Sequence, residues 1–584
     1  MIRQTLLPLA LLLAAAATTA LAGPVETFDD LVAREWAFRM AENPEEASGN
    51  GLEGHGDRLT RVGPEDLARR NAYWKSVLAE LDEIDCRALG RAGCIDYRMF
   101  RRQIEHFVRE YELGAQRIPF NSDWGFWMSW ARLPDTTTFR DADDYRDYLA
   151  RLEMLPAVMD EYIALMREGL ATGMTQPRAV LDGRDVSIAN HVVDGPRDSA
   201  FFAPFERWPD AVPAAERGAL TARAEAAIAG GVVPAYAKLL AFFRDEYLPG
   251  ARETLGASAM PNGEALYREA IRWYATVDLS PAEIHDIGLA EVRRIRGEME
   301  AIIAEVGFEG SFADFIDFLR TDPQFYAKTP RELLAEASYH AKRIDGRLPK
   351  LFGKLPRQPY GVAPVPDEIA PFYTTGRAVG APLNADHGGY YWVNTWALDK
   401  RPLYTLPALT LHEAAPGHLM QGALALELEA QPPFRRYDYI SAFGEGWALY
   451  AEKLGLELDI YETPYQQFGR LTYEMWRACR LVIDTGVHAM GWSREQAQRL
   501  LAENSALSLH NVTTEVDRYI SWPGQALSYK LGELKFVELR RLATETLGAG
   551  FDVKAFHDFV LSLGSVPLDV LEDETRRWVE AQRS

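Results

Sequence analysis

The stretch Leu409-Thr410-Leu411-His412-Glu413-Ala414-Ala415-Pro416-Gly417-His418 sets two imidazoles six positions apart, with a carboxylate directly after the first. These are the residue types of a zinc hydrolase centre. In the commoner HExxH spacing the two His lie only about 40° apart around a helix axis and share one tetrahedral zinc ion. The Glu between them faces the metal's water and works as general base. At i+6 the separation is roughly 120°, so a regular helix cannot make this site. Pro416 has no N–H to give the carbonyl of His412, and its ring clashes there, which opens the hydrogen-bond ladder. Gly417 tolerates a crowded backbone. Two residues looped out as a π-type bulge would put His412 and His418 back on one face. The alternative is a helix that ends near Ala415, with His418 capping the next.

A third donor lies downstream. Tyr439 to Glu452 reads as a buried helix, with Glu445 in its apolar part between Gly444 and Gly446. A lone carboxylate among Phe443, Trp447, Ala448 and Leu449 is costly to bury unless a metal or an Arg from elsewhere compensates it. The two glycines cost about 1 kcal/mol each inside a helix, but they let another backbone come close. With His412 and His418, Glu445 makes a His₂Glu set that holds one Zn²⁺ per chain and leaves a position for water.

HEAAPGH followed by GEGWALYAE resembles the bacterial domain-of-unknown-function family 885. Its members are similar to helical gluzincin metallopeptidases such as the carboxypeptidase Taq and thimet oligopeptidase groups. The resemblance covers about Gly388 to Gly532, and its departure from the gluzincin pattern is the two-residue expansion of HExxH. It implies His412, His418 and Glu445 as ligands and Glu413 as base. It also implies an edge strand beside the metal, to which an extended peptide hydrogen-bonds as an added strand. Gly388 to Trp396 is the best strand signal in the chain, and Tyr391 and Asn394 on it are candidate substrate contacts.

The oxyanion formed by attack on a carbonyl needs a donor, usually Tyr or His in this class. The segment from His510 through Tyr519 to Gly532 resembles the family's C-terminal signature, and Tyr529-Lys530-Leu531-Gly532 is similar to a Tyr-x-Leu-Gly segment of carboxypeptidase Taq enzymes. Tyr529 is the candidate donor, with Tyr519 and His510 next. Arg518 either binds a substrate carboxylate through a bidentate fork or makes a structural salt bridge. On the helix expected from Glu474 to Met490, Arg477, Arg480, Asp484 and His488 share one side. Asp484 would hold a ligating His in its tautomer, and His488 would be a ligand or a substrate contact. Pairing along the helix is the plainer alternative for all four.

The elements that must position these groups are helical almost throughout. Phe28, Leu31, Val32, Trp36 and Met40 form one apolar stripe, and long amphipathic segments follow at about 64–84, 95–113 and 142–170. Asn121 to Trp130 is dense in aromatics that either line a substrate cleft or fill a core. Ser280-Pro281-Ala282-Glu283 is a capping box with Pro at the first helical position, and the device recurs at Thr329 and Ser493. It opens a stripe of Ile284, Gly288, Val292, Ile295, Met299, Ile302 and Val306. Pro356 to Pro382 has no sustained helical period and reads as a loop or seam. The expected fold is mainly α: by analogy of fold, a large two-lobed metallopeptidase-like architecture with a deep cleft and a small β-sheet beside the metal motif. A helical region at 23–355 and a catalytic region at 356–584 would pack as one continuous fold.

Residues 1–22 have the charged start, apolar core and small-residue end of a secretory signal, which implies a periplasmic or secreted chain. No Cys follows the expected cleavage site, and no later segment reads as a membrane span. A formal net charge of −22 argues against nucleic acid or anionic membrane surfaces as partners. Of three Cys, Cys86 and Cys94 could form a local bridge. The residues point to an exported zinc metallopeptidase, and the fold that the resemblance implies adds short peptides as its substrates. The alternatives are a zinc hydrolase of another amide or ester, such as a cell-wall peptide, and a catalytically silent periplasmic binding protein.

Overall fold

The computed structural model describes residues 23–583 except 368, 371, 372, 383, 384 and 386. The signal sequence expected over 1–22 lies outside the described residues. The chain is mainly helical, with 69% helix against 4% strand. The amphipathic segments form helices Pro64–Asp82, Gly90–Leu113 and Ala142–Thr172. Ser280 and Ser493 close full capping boxes with Glu283 and Gln496. At Thr329 only half of the device forms, because Glu332 turns its carboxylate to the N–H of Lys328. A further box, Ser311 with Asp314, went unrecognised because its third position carries Asp rather than Glu or Gln.

Seven helices frame the residues singled out in the sequence: α1 Pro281–Glu305, α2 Leu406–Glu413, α3 His418–Leu426, α4 Ser441–Leu454, α5 Pro464–Met490, α6 Leu509–Ser521 and α7 Ser528–Leu547. Except for Val306, which lies at the helix end, the expected stripe of α1 is buried. Gly288 on that stripe lets α5 approach so closely that a Cβ there would meet Leu481 and Val482 at 2.8 Å. Lys530 of α7 is wholly buried and ties three helices together, 2.9 Å from Glu291 of α1 and Glu474 of α5 and 2.8 Å from Glu533 of α7.

The small sheet runs in the order β1-β3-β2, with β1 Tyr360–Pro364, β2 Gly376–Val379 and β3 Gly389–Val393. β3 is the expected strand, but it is the central one, parallel to β1 and antiparallel to β2. The other two lie in the Pro-rich stretch read as a loop. Strands of four or five residues leave too few positions for an alternation to show. The edge beside the metal motif is β2.

Hydrophobic clusters run across position 355. Phe28, Phe100 and Leu348 pack with Phe434, Trp447, Phe536 and Leu571. The aromatic stretch divides between its two readings. Phe126, Trp127 and Trp130 are core, whereas Trp124 and Met128 are exposed. The structure also joins Ala214 to Gly250 into one helix long and apolar enough, by length and composition, to cross a membrane. No such run stood out in the sequence. Its inward residues, among them Leu220, Ile228, Tyr236 and Phe243, pack into the cluster around the Ala142–Thr172 helix.

Helices α4 and α7 touch through glycine. A Cβ on Gly532 would lie 2.1 Å from the carbonyl oxygen of Ala442 and 2.7 Å from Cα of Gly446, so neither backbone has room for a methyl group. Forcing one in is expected to cost about 1–3 kcal/mol or more. Gly532→Ala should therefore lower the denaturant midpoint of unfolding. A midpoint equal to that of the unsubstituted protein would mean that the helices part without penalty.

Candidate metal centre

The motif helix does not carry a bulge. It breaks. α2 stops at Glu413 and α3 starts at His418, so the backbone follows the two-helix alternative while the side chains still converge. The turn between them is held by its own hydrogen bonds: Gly417 N–H to Leu411 O, six residues back, at 3.0 Å, and Leu419 N–H to Ala414 O at 3.1 Å. The indole of Trp447 on α4 donates to Pro416 O at 2.8 Å and pins the loop from outside. Gly417 is required by space, since a Cβ would sit 1.8 Å from His412 O.

The break turns both imidazoles toward α4. Single ligand atoms of His412, His418 and Glu445 lie within 4.8 Å of one another. Glu445 Oε2 is 3.2 Å from His418 Nε2 and 3.5 Å from His412 Nε2. Donors placed ~2.0–2.1 Å from a tetrahedral zinc would stand about 3.3 Å apart, which matches both spacings. Glu445 Oε2 is buried and makes no well-directed hydrogen bond to either ring. A buried carboxylate oxygen left in that state calls for a cation. The residues therefore fit a zinc ion.

A carboxylate not seen as functional in the sequence organises the first His. Glu452, two turns beyond Glu445 on the same helix face, accepts from His412 Nδ1 at 2.8 Å and is almost wholly buried. An ionised carboxylate can only accept, so Nδ1 carries the proton and Nε2 presents its lone pair to the centre. Arg477 of α5 lies 3.7 Å behind Glu452. Burial pulls the metal-free His412 imidazole down, but the carboxylates of Glu445 and Glu452 beside it outweigh that and lift it to about 10. The spacing of seven between Glu445 and Glu452 was the available signal.

Glu413 follows His412 and aims at the sheet, where its Oε2 accepts from Ala378 N–H of β2 at 2.8 Å. Tyr439, just before α4, is the other group the sequence reading passed over. Its ring lies over Gly444, which has no side chain to block it, and its hydroxyl faces Glu445. Tyr439 as a residue is 55% exposed, so its outer edge meets solvent. Tyr529 lies behind it and is nearly buried; its ring stacks on the Arg480 guanidinium at 4.1 Å, and its hydroxyl accepts from Arg518 Nη2 at 3.4 Å.

Six other expected contacts belong elsewhere. Tyr391 faces the core from β3 and is wholly buried, because odd positions of that strand point inward. Asn394 is buried too and spends its amide on the carbonyls of Ala370, Tyr373 and Thr374. Tyr519 is locked among Trp476, Arg480 and Glu515. Asp484 accepts from the Tyr267 hydroxyl at 2.6 Å and from Gly524 N–H, and touches neither imidazole of the centre. His488 bridges Ala257 N–H and Tyr519 O. His510 stands exposed in the first turn of α6. The shared face of α5 is a buried polar seam rather than a shell around the metal.

Two predictions follow from this geometry. Glu452→Gln should weaken zinc binding by about 10–100-fold, the usual cost of losing a partner behind a ligating His, and Gly417→Ala should cost more by displacing His418. Competitive chelator titration measures both, and wild-type affinity in either variant would refute its assigned part. The second concerns Asp484, which burial lifts to about 7 although Tyr267 and Gly524 favour its ionised form. The folded value exceeds the unfolded one of ~3.9, so its contribution is present below that value and fades as pH rises through about 7. Asp484→Asn should flatten the fall in stability between about pH 4 and 7 seen in denaturant melts. An unchanged slope would place the buried proton elsewhere.

With the centre described, comparison with known proteins places the chain. A structure from Colwellia psychrerythraea, presented as a candidate lipoprotein, superposes with a TM-score of 0.89 at 28% identity, over 96% of this chain and 100% of its own. A candidate lipoprotein of unknown function from Shewanella oneidensis shares the fold with a TM-score of 0.73 at 18% identity, over 95% and 99% of the two chains. No curated protein matches. The family model described as bacterial protein of unknown function, DUF885, matches residues 44–574, far beyond the segment whose motifs suggested it, and the chain belongs to that family.

Proposed function

We propose that the protein is an exported zinc-dependent metallopeptidase that hydrolyses peptide bonds of short peptides. The observation that carries this reading is the buried Oε2 of Glu445, without a well-directed hydrogen bond, held against two imidazole nitrogens at 3.2 and 3.5 Å. His412, His418 and Glu445 would hold the ion. When bound, zinc supplies Lewis acidity toward a carbonyl and lowers the pKa of water toward 7. Naming of the two structural relatives as candidate lipoproteins supports a location outside the cytoplasm.

The chain's own residues supply the rest. Glu413 takes a proton from the attacking water and returns it to the leaving amine. Its hydrogen bond to Ala378 N–H keeps the carboxylate oriented before substrate arrives. Tyr439 donates its hydroxyl to the oxyanion, being the tyrosine that faces Glu445 and open space. Tyr529, polarised by Arg518, stands behind it and supports the same charge. The free edge of β2 beside Glu413 offers main-chain groups to an extended peptide.

Metal analysis of the purified protein should give one zinc per chain. Glu413→Gln should keep that zinc and lower kcat on a mixed peptide library by about 10²–10⁴-fold, the range of a lost general base. Stoichiometric zinc with equal cleavage by both forms would remove Glu413 from the reaction. Protein without zinc that still binds peptides would instead favour a silent binding protein.

A further inference from the structure

A cavity of about 150 Å³ lies away from the metal ligands, where the turn before α2, the start of β2, α5 and the segment leading into α6 meet. A void of that size accommodates a six-membered carbon ring. This one is polar. Thr405 and Tyr473 on its walls are buried, and Thr472 is only 1% exposed. Among the described residues the buried Thr472 hydroxyl has no hydrogen-bond partner. Such a group is costly to keep unless something else supplies the bond.

The outer wall carries both signs of charge. Asp399 is exposed and Lys400 half-buried, side by side. Among the described residues neither has an ion-pair partner, and the Lys400 ammonium rests over the Trp396 ring at 5.7 Å. Arg320 forms another part of the lining. Its Nε and Nη2 donate to the carbonyls of Leu507, Ala502 and Ser505, whereas Nη1 keeps a looser contact with the exposed Asp317 at 3.6 Å.

Two cations and one carboxylate around room for one small molecule select a ligand that bears both charges. A bare anion would leave Asp399 unmatched, and an amine alone would leave Lys400 and Arg320 so. An apolar ligand would leave the Thr472 hydroxyl unpaired. Within a peptide, an internal residue has neither charge and each terminal residue has one. A free amino acid has both on a single carbon.

We propose that this cavity binds one free amino acid with a small polar side chain, such as serine or threonine, at a site separate from the metal centre. Asp399 takes the ammonium, Lys400 and Nη1 of Arg320 take the carboxylate, and the Thr472 hydroxyl pairs with the side chain. The site stands whether or not the chain cleaves peptides; if it does, the ligand is of the class that cleavage releases. Its walls run into the elements that carry the reacting groups. Thr405 leads into the helix ending at Glu413, and Thr375 into the strand whose Ala378 N–H holds that carboxylate.

Calorimetry on the full chain as purified compares L-serine with N-acetyl-L-serine, which lacks the ammonium, and with L-serinamide, which lacks the carboxylate. Serine should bind, and each capped form should bind at least about tenfold more weakly, the scale of a lost hydrogen bond to a charged group. Asp399→Asn and Lys400→Met should each weaken serine by a similar factor, with metal content and melting unchanged. Thr472→Val should bring serine down to the level of L-alanine. Failure of both serine and threonine to bind overturns the proposal. Binding that survives both charge-removing variants overturns it too, because the amino acid is then held elsewhere, the metal included. A preference for serine over alanine that survives Thr472→Val removes the hydroxyl from its assigned part. Serine bound here by a protein that cleaves no peptide keeps the site and ends the peptidase reading.

Discussion

Three lone pairs aimed at one small space repel one another unless a positive charge sits among them. That constraint governs the centre. His412 is fixed with its proton away from the space because Glu452 takes Nδ1–H, so it cannot turn to donate to Glu445. Glu445 lies on a helix whose neighbours are Phe443, Trp447 and Ala448, all buried, and finds no other donor for Oε2. The carboxylates of Glu445 and Glu452 on either side of the ring are what lift the His412 imidazole so far. The protein has arranged acceptors where a core would ordinarily want donors, and it holds the arrangement with contacts that come from outside the motif.

Those contacts explain why the expanded motif works geometrically. A bulge inside a continuous helix would have had to distort backbone hydrogen bonds and keep two His on one face. Ending the helix and restarting it avoids that distortion, because the Gly417 to Leu411 bond closes a single wide turn. The break alone would leave the second helix free to choose its direction. Trp447 removes that freedom through Pro416 O, and it does so from the helix that carries Glu445. One element therefore supplies Glu445, the support for His412 and the clamp on the loop leading to His418.

The parts of this plan legible in the sequence were those with a local mechanism. Pro416 and Gly417 declared that a regular helix fails, and Glu445 declared itself by polarity in an apolar run. The α1 stripe and the capping boxes at Ser280 and Ser493 were readable for the same reason. What stayed hidden depends on partners distant in the chain. Asp484 and Glu452 are each a carboxylate on a helix near the motif, and nothing local says which one meets an imidazole. Tyr391 looked like a substrate contact because strand content was visible while the face and the central position of β3 were not. Ala378 lay in a stretch whose prolines masked two short strands.

The glycines of α4 show how far placement depends on close packing. Gly446 meets Gly532 backbone to backbone, and Gly444 makes room for Tyr439. The first contact sets α7 against α4, so that Tyr529, one turn before Gly532, comes to lie behind the centre. The second lets a tyrosine outside the helix reach the face where Glu445 points. A larger residue at Gly446 would have to push the α7 backbone away, and one at Gly444 would have to push the Tyr439 ring away. On the proposed reading those are the groups that steady the oxyanion, so their placement depends on two positions that carry no side chain at all.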